Sequence, residues 1–260
     1  MSESENSPTT PSSLAPWLDL RVDHRFPGCH LQLECQLSAQ RTVVFGPSGS
    51  GKSSLLRAIA GLLEPDDGRI LLHGQAVWER RGRGQEHQHR PTRVPAHKRR
   101  VGLVLQNPAL FPHLRVRDNV AFALRGMAED SRKEKVLELL RIVDALALVD
   151  RWPRDLSGGQ QQRVAIARTL AASPAVLLLD EPFGALDAEA SRQLSDNIYQ
   201  WAKNQSVPVM MVTHNVEEAF SAGDEVLKMD CGRIAAQGPP HKVLSAERAR
   251  LLGVLRACAD

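Results

Sequence analysis

The residues with the clearest chemistry are a lysine and a serine closing a glycine-rich loop, Gly46-Pro47-Ser48-Gly49-Ser50-Gly51-Lys52-Ser53. The loop matches the G-x-x-x-x-G-K-[ST] pattern in full, and that pattern wraps phosphate groups. Its glycines let the backbone turn so that N–H groups face an anion. Lys52 is placed for the β- and γ-phosphates and the Ser53 hydroxyl for Mg²⁺, with Ser54 next in line at the helix start. The positive end of the following helix adds to the attraction. The expected ligand is a nucleoside triphosphate.

Two more stretches extend this chemistry to hydrolysis. Val176-Leu177-Leu178-Leu179 is fully apolar and runs into Asp180-Glu181. A strand buried on both faces delivers the first carboxylate at its C-terminal edge, where ligands gather on parallel sheets. Asp180 is the candidate Mg²⁺ partner, directly or through water. Strand alternation turns Glu181 elsewhere, toward the γ-phosphate, where it can orient and deprotonate a water. In Leu156-Ser157-Gly158-Gly159-Gln160, Ser157 has the character of an N-cap, and two glycines expose backbone N–H groups. This is a second anion-binding helix start. One γ-phosphate does not need both from one chain, so the second is expected to serve a different subunit.

The elements that must position these residues follow from periodicity. Leu18 to Val22 and His30 to Leu37 alternate like half-buried antiparallel strands. Thr42 to Phe45 is the strand before the loop, and Ser53 to Leu63 carries apolar residues at helical spacing. Arg69 to Leu72 is a strand with a turn at His73-Gly74. Glu79 to Arg100 has no apolar period and is expected to be a loop. Its histidines His87, His89 and His97 fit no usual metal-ligand spacing. Val101 to Leu105 is a strand ending at Gln106. Val116 to Arg125 and Ser131 to Val149 read as helices, and Ser157 opens another to about Ala172. Ala188 to Lys203 is a helix, Val207 to Thr213 a strand ending at His214, and Val216 to Ala222 a short helix. Glu225 to Met229 and Arg233 to Ala236 are late strands.

Composition narrows the class. Apolar residues make up 42% and charged residues 24%, the balance of an ordinary soluble globular protein. A net charge of +3 is too small to argue for nucleic acid as a partner. No apolar run approaches the roughly 20 residues that cross a bilayer. Residues 1–16 are rich in Ser, Pro and Thr, lack signal-peptide character, and read as a disordered tail. Cys29, Cys35, Cys231 and Cys258 show no C-x-x-C spacing and are expected to be free thiols in a reducing compartment.

Leu156–Gln160 resembles the signature of ATP-binding cassette (ABC) ATPases, and the resemblance extends over about Leu18 to Gly238. It implies an α/β P-loop NTPase fold: a RecA-like core with a mostly parallel sheet, an antiparallel β subdomain and an inserted helical subdomain at about 107–160. The ATPase domain would span 17–245, with 246–260 as a tail. The resemblance makes Gln106 the glutamine that senses Mg²⁺ and the attacking water. It makes His214 the γ-phosphate switch histidine, and Ala185-Leu186-Asp187 a loop whose Asp187 contacts the opposite subunit. It implies a homodimer in which ATP and Mg²⁺ lie between one copy's Gly46–Ser53 and the other's Ser157–Gln160. An aromatic upstream of the loop would stack on adenine. Phe26 is the first candidate, with Trp17 and His24 behind it.

Separate ATPase subunits of this kind resemble those of bacterial importers. Two membrane-spanning permease subunits, an indirect solute-binding protein and a peripheral place on the cytoplasmic face of the inner membrane are implied. Ala109–Val116 resembles the importer segment where the permease docks, with Leu110-Phe111 as an exposed anchor or else as an internal staple. Phe26–Leu31 and Pro95–Gly102 look most like the molybdate importer's ATPase. Sulfate, iron and polyamine importers are the alternatives. The chain's end at Asp260 leads us to expect no C-terminal β-rich regulatory domain. A non-transport ABC ATPase acting on nucleic acid is the reading from another class, and only the basic stretch Arg80–Arg100 favours it. A GTPase would need a guanine-reading N-K-x-D, which the sequence lacks.

Overall fold

The computed structural model describes residues 15–80 and 91–250. Their strands form one mixed sheet of eleven strands. The first two, β1 (Leu18–Phe26) and β2 (Cys29–Leu37), make a hairpin in which Leu18 faces Leu37 and Phe26 faces Cys29. β1 also pairs antiparallel with β4 (Asp67–Leu72). β4 pairs with β5 (Gln75–Arg80), and β5 with the two-residue β6 (Thr92–Arg93).

The other half of the sheet is parallel. β3 (Arg41–Phe45) lies beside β9 (Val209–Thr213), then β8 (Val176–Asp180), then β7 (Val101–Val104). β10 (Glu225–Asp230) runs parallel to β3 on its other side, and its hairpin partner β11 (Arg233–Gly238) joins this half to β2.

Alternation along the parallel strands sorts their side chains onto two faces, both buried. Val43, Phe45, Leu177, Leu179 and Met211 join a core with the helical half of the chain. Val44, Leu178, Met210 and Val212 join a second core with α1 (Lys52–Ala60) and the antiparallel strands. The C-terminal ends of β3, β7, β8 and β9 therefore come out at one edge, between the two cores. That edge carries the Gly46 loop, Gln106, Asp180-Glu181 and His214.

On the helical side, α2 (Val116–Ala121), α3 (Glu129–Ile142) and α4 (Gly158–Ala171) pack together. α5 (Ala188–Asn204) and α6 (Val216–Ala222) complete that face. Both helices expected before residue 150 are shorter in the structure. The first gives way to a 3-10 turn at Phe122–Leu124. The second stops at Ile142 because Asp144 takes a left-handed φ of 50°. Arg163 of α4 then donates to the Val143 and Asp144 carbonyls and pairs with the Asp144 carboxylate at 2.7 Å, closing the helix end.

The basic stretch departs furthest from expectation. Glu79 and Arg80 belong to β5, Thr92–Arg93 to β6, and Ala96–Lys98 to a 3-10 turn. His87 and His89 lie outside the described residues. Arg99 is buried, with its guanidinium at the C-terminal end of α1. It donates to the Ala58 and Ile59 carbonyls at 2.9 and 3.0 Å and to the Val94 carbonyl at 2.9 Å. Gly61 makes the room: a Cβ there would stand 2.6 Å from Arg99 Nε. Burial lowers the Arg99 pKa, with Glu64 opposing. Arg99→Leu is expected to destabilise the fold by about 2–3 kcal/mol, because the Ile59 carbonyl and the half-buried Val94 carbonyl lose the guanidinium, while the Ala58 carbonyl keeps the Gly61 N–H. Urea unfolding with an unchanged m-value would register the loss, and an unchanged midpoint would refute it.

Candidate functional site

The phosphate-binding loop is built by close approach. A Cβ on Gly46 would lie 2.2 Å from the Met229 carbonyl oxygen of β10, so only glycine lets β3 turn there. Gly51 precedes α1 with φ +98°, a left-handed conformation that other residues rarely adopt. The loop is tied to its neighbours, because the Gly232 N–H donates to the Ser50 carbonyl at 3.1 Å. Gly232 in turn accepts from the Gln32 N–H at 2.8 Å.

Lys52 is buried in the middle of the loop, and its ammonium donates to the Gly46 and Pro47 carbonyls, both at 2.8 Å. Burial lowers its pKa, and the negative charges of Glu181 and Asp180 oppose that shift. Asp180 shows the reverse. Burial raises its carboxyl pKa, the Ser53 hydrogen bond lowers it, and the charge of Glu181 raises it further. The Ser53 hydroxyl donates to Asp180 Oδ1 at 3.0 Å. Two hard oxygen donors side by side, one a buried carboxylate short of positive charge, fit Mg²⁺.

Glu181 is the next residue, and its backbone is unusual. It takes φ 45°, left-handed for a non-glycine residue, while its N–H donates to the Val212 carbonyl at 3.0 Å. Such a conformation costs about 1–3 kcal/mol and is characteristic of functional sites. It aims the carboxylate between two partners. Gln106 Nε2 donates to Oε2 at 3.2 Å, and His214 Nδ1 lies 3.2 Å from Oε1. Residues separated by up to 108 positions of sequence thus meet on one carboxylate.

Three residues that the sequence reading passed over hold His214 in place. Thr213 Oγ1 donates to Glu218 Oε2 at 2.6 Å and accepts from the Asn215 N–H at 3.0 Å. Asn215 Oδ1 caps α6, accepting from the Glu217 and Glu218 N–H groups. Asn ahead of two acidic residues is a readable N-cap signal, and the bond from Thr213 to Glu218 spans only five residues.

Ser157 caps α4 as expected, and Gln160 completes a capping box. The Ser157 N–H donates to Gln160 Oε1 at 3.0 Å, and the Gln160 N–H to Ser157 Oγ at 3.3 Å. Gly159 is pressed against the Ala185-Leu186 turn, where an added Cβ would meet Leu186 Cδ2 at 2.7 Å. Gly158 faces outward, with nothing nearer than Ala185 Cβ at 3.8 Å. Asp187 caps α5, accepting from the Ala190 N–H at 2.8 Å.

The adenine candidates separate. Trp17 is core, with its indole N–H on the Ala39 carbonyl at 3.0 Å. Phe26 is half-buried at the end of β1, edge-on to His24 at 4.4 Å between ring centroids.

Of the two readings of Leu110-Phe111, the internal staple fits better than the exposed anchor, because both side chains are half-buried. Leu110 packs on the helical core, and the Phe111 ring lies 4.5 Å from Phe122 and 4.9 Å from the Arg168 guanidinium. The cause is Asn119, fully buried, whose side chain bonds both the N–H and the carbonyl of Phe111 and the Leu114 carbonyl. The apolar surface of this region comes from Phe122 and Met127, 39% and 42% exposed.

This arrangement on this fold makes the chain a member of the ABC transporter family, whose family model matches residues 31–184. The fold is the ABC ATPase cassette. A solved neighbour at TM-score 0.72 and 27% identity covers 86% of this chain and 98% of its own. It is a dimeric post-hydrolysis state of the ATP-binding cassette MJ0796 bound to ADP and Pi. Among curated relatives, the Fe(3+) ions import ATP-binding protein FbpC of Yersinia pestis (strain Antiqua) is 41% identical over 207 residues, 78% of this chain and 55% of that protein. The sulfate/thiosulfate import ATP-binding protein CysA of Synechocystis is 45% identical over 202 residues, 77% of this chain and 53% of that protein. The chain thus spans about half the length of these relatives. Among the described residues, no helix is long and apolar enough to cross a membrane.

Proposed function

We propose that this chain is the ATP-binding and hydrolysing subunit of an importer and works as a dimer with two composite sites. The observation that carries the reading is the Glu181 carboxylate, held between Gln106 and His214 beside the Ser53–Asp180 pair. The loop N–H groups and Lys52 bind the phosphates, and Phe26 is our choice for the adenine. Ser53 and Asp180 hold Mg²⁺, Asp180 directly or through water, with Gln106 close by. The metal supplies charge neutralisation on phosphate oxygens. Glu181 accepts the proton of the attacking water, and His214 and Gln106 orient its carboxylate. Ser157, Gly158, Gly159 and Gln160 present the second helix terminus to the partner copy's phosphate, with Asp187 at the same interface.

In this reading the half-turn around Phe111, with Phe122 and Met127, receives a membrane-spanning permease subunit, one per copy. The chain then sits on the cytoplasmic face of the membrane, and a solute-binding protein contributes indirectly. We take the cargo to be a small inorganic ion. The names of the relatives give iron(III) and sulfate or thiosulfate. The likeness of Phe26–Leu31 and Pro95–Gly102 to the molybdate importer's ATPase points to an oxyanion within that class. Uptake of radiolabelled molybdate, sulfate and iron(III) by cells lacking the gene separates these cargoes.

Gly158→Asp tests the composite site, because that surface has room for a side chain within its own chain. The variant is expected to fold and bind ATP like the unmodified chain, while ATP-dependent dimerisation weakens at least tenfold by repulsion from phosphate. Unimpaired dimerisation would exclude this surface from the site.

A further inference from the structure

Gln162 is a buried polar side chain with no role so far. It lies on α4, four residues beyond Gly158, and is 2% exposed. Its Nε2 donates to the Leu105 carbonyl at 3.2 Å, a bond spanning 57 residues of sequence. A carbonyl only accepts, so the amide nitrogen must face it. Among the described residues its Oε1 finds no donor.

The position of that bond is informative. Leu105 follows the last residue of β7 and immediately precedes Gln106, whose amide donates to Glu181. One end of α4 therefore presents Ser157 and Gly158, while its next turn grips the backbone beside Gln106. With Oε1 unsatisfied, the cost of burying the amide offsets much of what its bond to the Leu105 carbonyl contributes, so the bond matters chiefly through its direction. At the far end of β7 the helix and strand are already locked by shape, since a Cβ on Gly102 would lie 2.7 Å from Thr169 Cγ2. A hydrogen bond is directional where apolar packing is not, so it fixes where Gln106 stands relative to α4.

We propose that Gln162 is a positioning residue that transmits the placement of the Ser157–Gly159 terminus to Gln106, and through it to the Glu181 carboxylate. The inference rests on the proposed ATPase reading, and absence of ATP turnover in the unmodified chain would remove that reading first. In an active protein, Gln162→Leu is expected to lower the melting temperature by no more than about a few degrees, because the Leu105 carbonyl loses its donor, and to leave the KM for ATP within twofold. Its kcat is expected to fall about tenfold, because misplacement of a catalytic group acts on turnover.

A double-mutant cycle with Gln106→Leu separates positioning from general structure. If Gln162 acts through Gln106, adding Gln162→Leu to Gln106→Leu costs little more. Multiplicative losses, or unchanged turnover in Gln162→Leu, would overturn the proposal. A KM for ATP raised as much as kcat is lowered would also overturn it, by making the residue structural. Gln162→Glu is the second probe. A carboxylate cannot donate to Leu105, so turnover is expected to fall as in Gln162→Leu, and wild-type turnover would count against the bond.

Discussion

Glu181→Gln is expected to lower steady-state phosphate release by about three orders of magnitude, within the range lost with a general base. The replacement has the same shape and keeps an oxygen to accept from Gln106. Its backbone keeps the same φ of 45° and the same bond to Val212. What changes is the ability to take a proton. ATP affinity is therefore expected to stay within about threefold, so that kcat carries the loss. Turnover within tenfold of the unmodified enzyme would show that the base is elsewhere. Asp180 is a poor substitute, because its buried oxygen is already committed to Ser53.

Lys52→Ala is expected to act on binding instead. The ammonium is held on the loop's own carbonyls, with both contacts at 2.8 Å. Truncating one partner of a desolvated charge pair costs about 2–5 kcal/mol, so ATP affinity should fall by about 30-fold to about 4,000-fold. A titration with a fluorescent ATP analogue reads the change, with circular dichroism confirming the fold. Affinity within threefold of the unmodified chain would place the phosphates elsewhere. Burial lowers the Lys52 pKa, and the charges of Glu181 and Asp180 oppose that shift.

Much of this was legible in the sequence, for physical reasons that differ by residue. The Gly46–Ser53 loop announces itself because a phosphate cradle needs glycine at fixed spacing. Asp180-Glu181 stands out because a five-residue strand buried on both faces can hide almost no polar residue except at its end. The helix at Ser157 carries its capping box within four residues. Local signals of this kind survive without the fold.

What failed was non-local or one-sided. β5 was missed because only Val77 and Trp78 in its six residues are buried, and its pairing to β4 is broken by an irregularity at Ile70/Leu71. Arg99 was counted among the charges of a loop, because composition records a guanidinium but not the three carbonyls that surround it. Leu110-Phe111 stays open in the sequence between exposed anchor and internal staple, because nothing local marks Asn119 as the residue that folds the turn inward. Gln162 matters through a bond to Leu105, 57 residues away, that only tertiary packing creates.

In the proposed reading, one copy of the chain holds only half of each ATP site. Sedimentation velocity of Glu181→Gln, with ATP and Mg²⁺ against ADP and Mg²⁺, tests this. A dimer is expected with ATP and a monomer with ADP, and the dimer is lost when Gly158→Asp is added. A monomer in both nucleotides, at concentrations where ATP is bound, would contradict it.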